Sequence, residues 1–495
     1  MGLFSFFTSK PRSDLPALKF HNTLSGTLDT FEPLSGRAVK MYNCGPTPYD
    51  RQHIGNMVPP VLGDILRRTL ETWGYKVNQV MNITDFGHLT GDNEGDPNEG
   101  DDKMTKGLAR EGLKPTMQNM RKLAEKYAGL FFDDITLLGI NTKRVTYPRA
   151  SDYIPDQIAL IKTLQQKGYA YEISDGIYYD TARFMGYGKL GNIKLDGQQT
   201  GVRVAEKLEK KNPHDFVLWK KSEKMGWKSP WGKGFPGWHI ECTAMIFKLL
   251  GKQIDIHTGG IEHIPIHLNN EIAQAEAATA RQFVKYWLHN AHITVEGKKI
   301  SKSLGNTVYV HNLVDKGYNP RALRYWFLTG HYRTPMNFTW EAIEGADQAL
   351  KRLTRAYLEK SEESSQSERL VTRRRSERRE DSEEFLKKFY EALANDLGTA
   401  QALALVWDNI KTLDQITLKK VDRILGLGFS EAQETAKLAV LKGSDLPEEI
   451  QHLLDEREAA RKNKDFTRAD ELRKQIEVQG FVLKDTSEGP KITKE

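Results

Sequence analysis

Hydrophobic and polar positions change their period several times along the chain. Residues 38–43 (AVKMYN) read as a strand, followed by a loop rich in Gly and Pro and then a helical pattern from about Gly55 to Trp73. Pro59 and Pro60 fit only in the first turns of that helix, where a missing N–H costs little, or else kink it. A second strand pattern, KVNQVMNITD, covers 76–85. Strand, loop, helix and strand in that order predict an α/β fold with a Rossmann-like parallel sheet of the nucleotide-binding kind. Residues 105–140 are predicted helical. A mixed region then opens at TYPRASDYI, with a hairpin pattern over 169–184 whose turn signal is Asp175-Gly176. Alternation returns at 252–260 (KQIDIHTGG), so two sheet-forming parts flank an inserted α+β region of roughly 85 residues.

Past about Trp340 the pattern turns helical and predicts an α-helical bundle. The run at 360–384 is so charged and low in complexity that it reads as an exposed loop or linker. Residues 447–495 read as a small α/β module, a helix pair followed by a short strand. The segment GDNEGDPNEGDD (91–102) reads as a solvated insertion rather than a metal site.

Composition narrows the function only slightly. A chain of 495 residues with 39% hydrophobic positions can support several domains. A net charge of +6 permits nucleic-acid binding without arguing for it. No stretch reaches the roughly 18 apolar residues of a membrane span. The start, MGLFSFFTSK, lacks a secretory pattern, and Phe6 stands where N-myristoylation requires Ser or Thr. A cytoplasmic enzyme without membrane attachment is expected, and a monomer. Two cysteines, Cys44 and Cys242, make a poor disulfide framework. They are either buried small residues or metal ligands.

Two short motifs carry candidate chemistry. His53-Ile54-Gly55-Asn56 (HIGN) sits where the first strand hands over to a helix, whose free N–H groups favour phosphate. Lys299-Ile300-Ser301-Lys302-Ser303, in the run GKKISKSLGN, sets two ammonium groups on a loop between Gly297 and Gly305, suited to a triphosphate. His267 and Glu271 fall four apart on one predicted helix face, a commonplace pair when taken alone.

The two motifs in this order resemble the class I aminoacyl-tRNA synthetases. With the pieces NCGPTPYDRQHIGN, VMNITD, YPRASDYI, DGIYYDTARFMGYGKL, DFVLWK, SPWGKGFPGWHIECTAM, DIHTGG and HLNNEIAQ, and with ARKNKDFTRADELRKQI and DTSEGP near the end, the chain resembles the cysteinyl-tRNA synthetases from about Lys19 to Ile492. The resemblance implies ATP-dependent activation of L-cysteine and its transfer to tRNA(Cys). It implies one Zn(2+) on Cys44, Cys242, His267 and Glu271, and Mg(2+) accompanying ATP. His53, Asn56, Lys299 and Lys302 would be catalytic. Gly55, Gly259, Gly260 and Glu262 would join His53, Asn56 and Lys302 in binding ATP, and Gly45, Thr84 and Trp238 would line the amino-acid pocket. The implied segments are a tail at 1–18, catalytic halves at 19–147 and 233–298, a connective insertion at 148–232, a stem-contact region at 299–344, an anticodon-binding helical domain at 345–446 and a tRNA-binding module at 447–495.

The chain departs from that family's pattern in places. Leu268 and Asn269 stand where His and Glu are common, which removes the usual support of the metal ligands. Glu262 replaces an Asp, Val58 an Arg, and NDLGTAQALA (395–404) a different turn. Two other readings share parts of the pattern: a ligase joining cysteine to an amino sugar, and a non-catalytic RNA-binding paralogue.

Overall fold

The structure, a computed structural model, describes residues 12–86, 103–193, 209–366, 372–428 and 446–494, apart from 464, 480, 487 and 488. The acidic run at 91–102 and residues 1–11 of the tail lie outside these. The chain forms two compact units, one of residues 1–352 with 371–427, the other of 353–370 with 428–495.

The first unit begins with an antiparallel hairpin of β1 (Lys19–Asn22) and β2 (Thr27–Thr30). Then come β3 (Ala38–Asn43), α1 (Val58–Thr72), β4 (Lys76–Met81), α2 (Lys103–Arg110), α3 (Met117–Leu137) and α4 (Ile154–Gln166). An antiparallel five-stranded sheet follows, of β5 (Ala170–Ile173), β6 (Gly176–Tyr179), β7 (Phe216–Lys221), β8 (Trp227–Ser229) and β9 (Gly232–Pro236), in the order β5-β6-β7-β9-β8. The chain then returns through α5 (Trp238–Leu249), β10 (Ile254–Gly260), α6 (Asn269–Thr279) and β11 (Val284–Asn290).

Strands β3, β4, β10 and β11 make a parallel sheet in the order β11-β10-β3-β4. Every residue of β10 is buried, as a central strand covered on both faces must be. Tyr42, Ile246, Ile254, Leu268 and Trp287 belong to one apolar cluster beside this sheet. The chain leaves β3 toward β4 on one side and returns to β10 on the other. The gap above the ends of β3 and β10 is therefore the switch point where α/β sheets place ligands.

The helical expectation over 105–140 splits into α2 and α3 around Pro115. The predicted hairpin forms, with Ser174 and Asp175 as its turn and Ile173 opposite Gly176. Gly176 serves close approach: a Cβ there would lie 2.2 Å from the Trp219 carbonyl oxygen.

After β11 the chain runs through β12 (Ile293–Val295), β13 (Lys298–Lys299), α7 (Val310–Asp315), α8 (Arg321–Thr329) and β14 (Met336–Phe338) into α9 (Trp340–Gln366), α10 (Thr372–Ala394), α11 (Thr399–Asn409) and α12 (Gln415–Leu425). The expected loop at 360–384 is corrected here. Helix α9 runs to Gln366 and α10 starts at Thr372, so only 367–371 fall outside the described helices. Arg, Glu, Lys and Gln are good helix formers, and a charged run lacking Gly and Pro keeps that propensity whatever its complexity.

The segment 371–427 belongs to the same compact unit as the parallel sheet, so the unit boundary does not follow the expected division at 345. A buried charge cluster shows why. Asp64 on α1 accepts from Arg68 Nε and Arg324 Nη2, each at 2.7 Å, and pairs with Arg67. Arg324, wholly buried on α8, also donates to the carbonyls of Leu425 at 2.6 Å and Leu138 at 3.3 Å. Burial would raise the pKa of Asp64, but the three arginines outweigh it and hold it below the ordinary carboxylate value. The second unit contains helices Glu448–Lys462 and Phe466–Val478 and a hairpin of β-strands Phe481–Thr486 and Gly489–Lys494, closed over Ile450, Ile476, Leu483 and Ile492. Two strands stand where one was expected.

Candidate metal and nucleotide site

Cys44 is the first residue past β3, and its N–H donates to the Thr258 carbonyl of β10 at 2.9 Å. It therefore sits at the switch point. His267 comes from a π-helical turn, Ile264–Leu268, which opens at Pro265 and runs into α6 with Glu271 in its first turn. Such turns re-aim side chains at functional sites. Single ligand atoms of Cys44, His267 and Glu271 lie within 4.8 Å of one another. Cys242, buried on α5, brings its Sγ to 3.8 Å from His267 Nε2. The four residues named from the sequence thus meet in one place, although they are spread over 228 positions.

The electrostatics of this cluster fit a soft cation. Glu271 is wholly buried; its Oε1 lies 2.9 Å from His267 Nε2 yet lacks a hydrogen-bond donor in good geometry. Burial resists charge on His267, but the close contacts with Cys242 and Glu271 and the Glu271 charge overcome it and push its pKa up to about 10. Burial would raise Glu271 too, but His257 and His267 bring it down to about 2. A hydrogen bond with Cys44, then burial, holds the Cys242 thiol well above its ordinary value. Cys44 is favoured as thiolate by its bond with Cys242, but burial and the Glu271 charge raise it. A divalent cation supplies the positive charge that two thiolates and a carboxylate need, and sulfur, imidazole and carboxylate donors suit zinc.

Support for these ligands comes from residues the sequence reading missed. His257 Nε2 on β10 lies 3.1 Å from Glu271 Oε2, and His239 Nδ1 on α5 lies 2.8 Å from His267 Nδ1. They give His267 and Glu271 partners that do not depend on Leu268 or Asn269. The signals were there: His257 stands in the alternating run before Gly259, and His239 three residues before Cys242. Trp238 packs against His267 with ring centroids 4.5 Å apart and the rings tilted by 39°. Thr84 is buried and donates through Oγ1 to Glu241 Oε2 at 2.9 Å. Gly45 donates its N–H to Asn82 Oδ1 at 2.8 Å, and a Cβ there would strike the Asn82 carbonyl at 1.7 Å.

The HIGN residues form the turn that starts α1. His53 caps the 3-10 turn Ile54–Met57: its Nδ1 accepts from the Gly55 N–H at 3.1 Å, and its own N–H donates to Asn56 Oδ1 at 3.1 Å. Nδ1 is thus an acceptor, so neutral His53 carries its proton on Nε2. Burial lowers the pKa of His53 to about 4. A Cβ on Gly55 would meet the His53 ring at 2.9 Å and Ile300 Cδ1 at 3.2 Å, which brings the lysine loop against this turn. Lys302 forms an ion pair with Asp50, a residue the motif reading passed over. Burial lowers the Lys302 pKa from the ordinary lysine value. Lys299 is exposed, and its carbonyl accepts from Asn306 Nδ2 at 3.0 Å.

Gly259 and Gly260 end β10, and a Cβ on Gly259 would lie 3.6 Å from Cys44 Sγ. Glu262 is exposed near His263 and His292, at 3.8 and 3.7 Å. No described helix is long and apolar enough to cross a membrane.

The family described as tRNA synthetases class I (C) catalytic domain matches residues 30–348, and the cysteinyl-tRNA ligase anticodon binding domain matches 443–490. A cysteine–tRNA ligase of Burkholderia lata is 40% identical over 96% of each chain, and one of Treponema denticola is 38% identical over 95% of this chain and 98% of its own. Methionyl-tRNA synthetase of Mycobacterium tuberculosis, solved with methionyl-adenylate, shares the fold at 12% identity and a TM-score of 0.53 over 81% of this chain and 84% of its own. The chain belongs to the cysteine–tRNA ligase family of class I aminoacyl-tRNA synthetases.

Proposed function

We propose that this ligase activates L-cysteine with ATP to cysteinyl-adenylate, passes the cysteinyl group to tRNA(Cys), and selects cysteine with a zinc ion held by Cys44, Cys242, His267 and Glu271. The observation that carries the reading is the convergence of those four side chains at the switch point of the sheet. Bound zinc would supply a soft Lewis acid that prefers a thiolate to a hydroxyl. That preference matters because cysteine and serine differ by one atom, which shape alone separates poorly.

The chain's own residues do the rest. Gly45 leaves room beside Asn82, and Thr84 and Trp238 line the cysteine pocket. The substrate carboxylate attacks the α-phosphorus of ATP, and pyrophosphate leaves. His53 stays neutral and donates through Nε2–H, and the exposed Asn56 amide offers further donors to the phosphate oxygens. Lys302, with Lys299 near it, stabilises charge on the departing pyrophosphate, and Mg(2+) travels with ATP. Gly259 and Gly260 let the nucleotide approach the end of β10, and Glu262 stands where a ribose hydroxyl would be met. A terminal ribose hydroxyl of tRNA then attacks the adenylate carbonyl, and AMP leaves.

The match to an anticodon-binding domain at 443–490 favours tRNA over an amino sugar as acceptor and supports tRNA contact by the module 447–495; the helical segment 345–446 is assigned to the same task as part of this reading. We read the enzyme as a cytoplasmic monomer. The test is cysteine-dependent pyrophosphate exchange followed by charging of tRNA(Cys), with an amino sugar as competing acceptor. Exchange with serine as fast as with cysteine, or transfer to the sugar in place of tRNA, would sink the reading.

A further inference from the structure

Lys302 has two possible partners, the phosphates of ATP and the carboxylate it pairs with in this structure. That carboxylate is Asp50, 252 positions earlier in the chain and three residues before His53. The Asp50 side is firmly built. Its side chain is only 16% exposed; Oδ1 accepts from the Arg51 N–H at 2.8 Å and Oδ2 from Arg110 Nη1 at 2.8 Å. Arg110 also donates to the Tyr49 carbonyl at 2.8 Å, and Arg51 is braced by Asp134 at 2.8 Å. The lysine side is adaptable. The Lys302 side chain is 55% exposed, on a short turn, Lys302–Leu304, flanked by Gly297 at φ 71° and Gly305 at φ 65°. A fixed carboxylate thus faces an ammonium carried on a segment with glycine hinges.

We propose that Asp50 is a positioning residue that parks Lys302 in the nucleotide-free enzyme. ATP must draw the ammonium from Asp50 to its phosphates, and Asp50 reclaims it as pyrophosphate leaves. The proposal rests on the reading of Lys302 as a phosphate-binding residue. Arg110 shares the same Asp50 oxygen, which weakens the hold on Lys302 and keeps the exchange reversible. No bond is made or broken in the exchange; one ion pair replaces another.

Pyrophosphate exchange with the full chain, run across ATP concentrations, tests this. Asp50→Asn keeps the shape and an acceptor for the Arg51 N–H but loses the charge. It should lower the KM for ATP about two- to fivefold, the range expected of a partly exposed ion pair. The rate of tryptic cleavage after Lys302, without nucleotide, should rise by a similar factor, because the turn opens more often. Asp50→Glu should restore both. Arg110→Gln leaves Lys302 as the main partner of Asp50 and should move the KM upward, which provides a test of opposite sign should Asp50→Asn fold poorly. In a Lys302→Met background Asp50→Asn should no longer shift the KM. An unchanged KM and cleavage rate in Asp50→Asn, or an equal shift in the Lys302→Met background, overturns the parking role while phosphate binding by Lys302 stands. Wild-type exchange kinetics in Lys302→Met would remove the phosphate role and the parking role together.

Discussion

His239 Nδ1 and His267 Nδ1 face each other at 2.8 Å in a buried pair. One must donate and the other accept. The Nε2 of His267 points toward Cys242 and Glu271, so a metal-ligating His267 carries its proton on Nδ1 and gives it to His239. His239→Phe would leave that N–H buried without an acceptor. Zinc affinity should fall about 10- to 100-fold, the usual cost of removing such support. Chelator competition against the purified protein measures it; an unchanged affinity would mean that the pair does not orient the ligand.

Cys242→Ser should separate selectivity from nucleotide binding. Serine keeps the size of the side chain but exchanges a soft thiolate for a hydroxyl that zinc holds poorly. Metal analysis should find one zinc per wild-type chain and less in the variant. Pyrophosphate exchange should show discrimination between cysteine and serine falling further than affinity for ATP. A metal-free preparation that activates cysteine at the full rate would end the zinc assignment.

The pKa of His53, lowered from 6.5 to about 4 by burial, fixes a sign. The folded chain prefers the neutral ring, so its contribution to stability is intact above about pH 6.5 and is lost as pH falls through 4. In NMR titration the His53 ring should stay neutral from pH 7 to 5, with a midpoint near 4. A midpoint near 6.5 in the folded protein would remove the neutral Nε2–H donor from the proposed chemistry.

Lys302→Ala should slow adenylate formation while leaving cysteine affinity nearly intact, because in the proposed reaction its charge acts on the departing pyrophosphate. Losing one such contact typically costs about 100- to 1,000-fold in rate. Single-turnover pyrophosphate release would show it, and a wild-type rate would refute the role.

Sequence patterns exposed the parts of this molecule that are local in the chain. Residues 38–43 announce a strand and HIGN a helix start, because period and capping are properties of neighbours. The four metal-ligand candidates were named from a family resemblance; no local pattern joins Cys44 to Cys242. His239, His257 and Asp50 were missed for the same reason, since their partners lie 14 to 252 positions away. The helices over 360–384 were missed because charge and low complexity were read as an exposed loop or linker, although Glu384 and Lys388 pair at i, i+4 across 2.7 Å.

The C-terminal region offers a separable test, and the fold decides where to cut. A truncation after Trp340 would remove α10 to α12, which belong to the same compact unit as the parallel sheet. Asp396 accepts from the His21 N–H at 2.9 Å and from Tyr332 at 2.6 Å, and Arg324 caps the Leu425 carbonyl, so that fragment would lose buried partners. A cut after residue 442 spares all of these and removes the match to an anticodon-binding domain at 443–490. The helices removed carry Arg461, Lys462, Arg468, Arg473 and Lys474 beside the exposed Phe466, groups suited to phosphate contact and base stacking. Adenylate chemistry needs none of them, since the proposed catalytic residues end at Lys302. Cysteine-dependent pyrophosphate exchange should therefore persist in the 1–442 chain, while tRNA charging at limiting tRNA falls at least tenfold. Binding of tRNA by the full chain should weaken steeply with salt, because each neutralised phosphate releases counterions, and the truncated chain should show a shallower slope. Equal charging by both chains at limiting tRNA, with equal salt slopes, would leave residues 443–495 without a part in tRNA recognition.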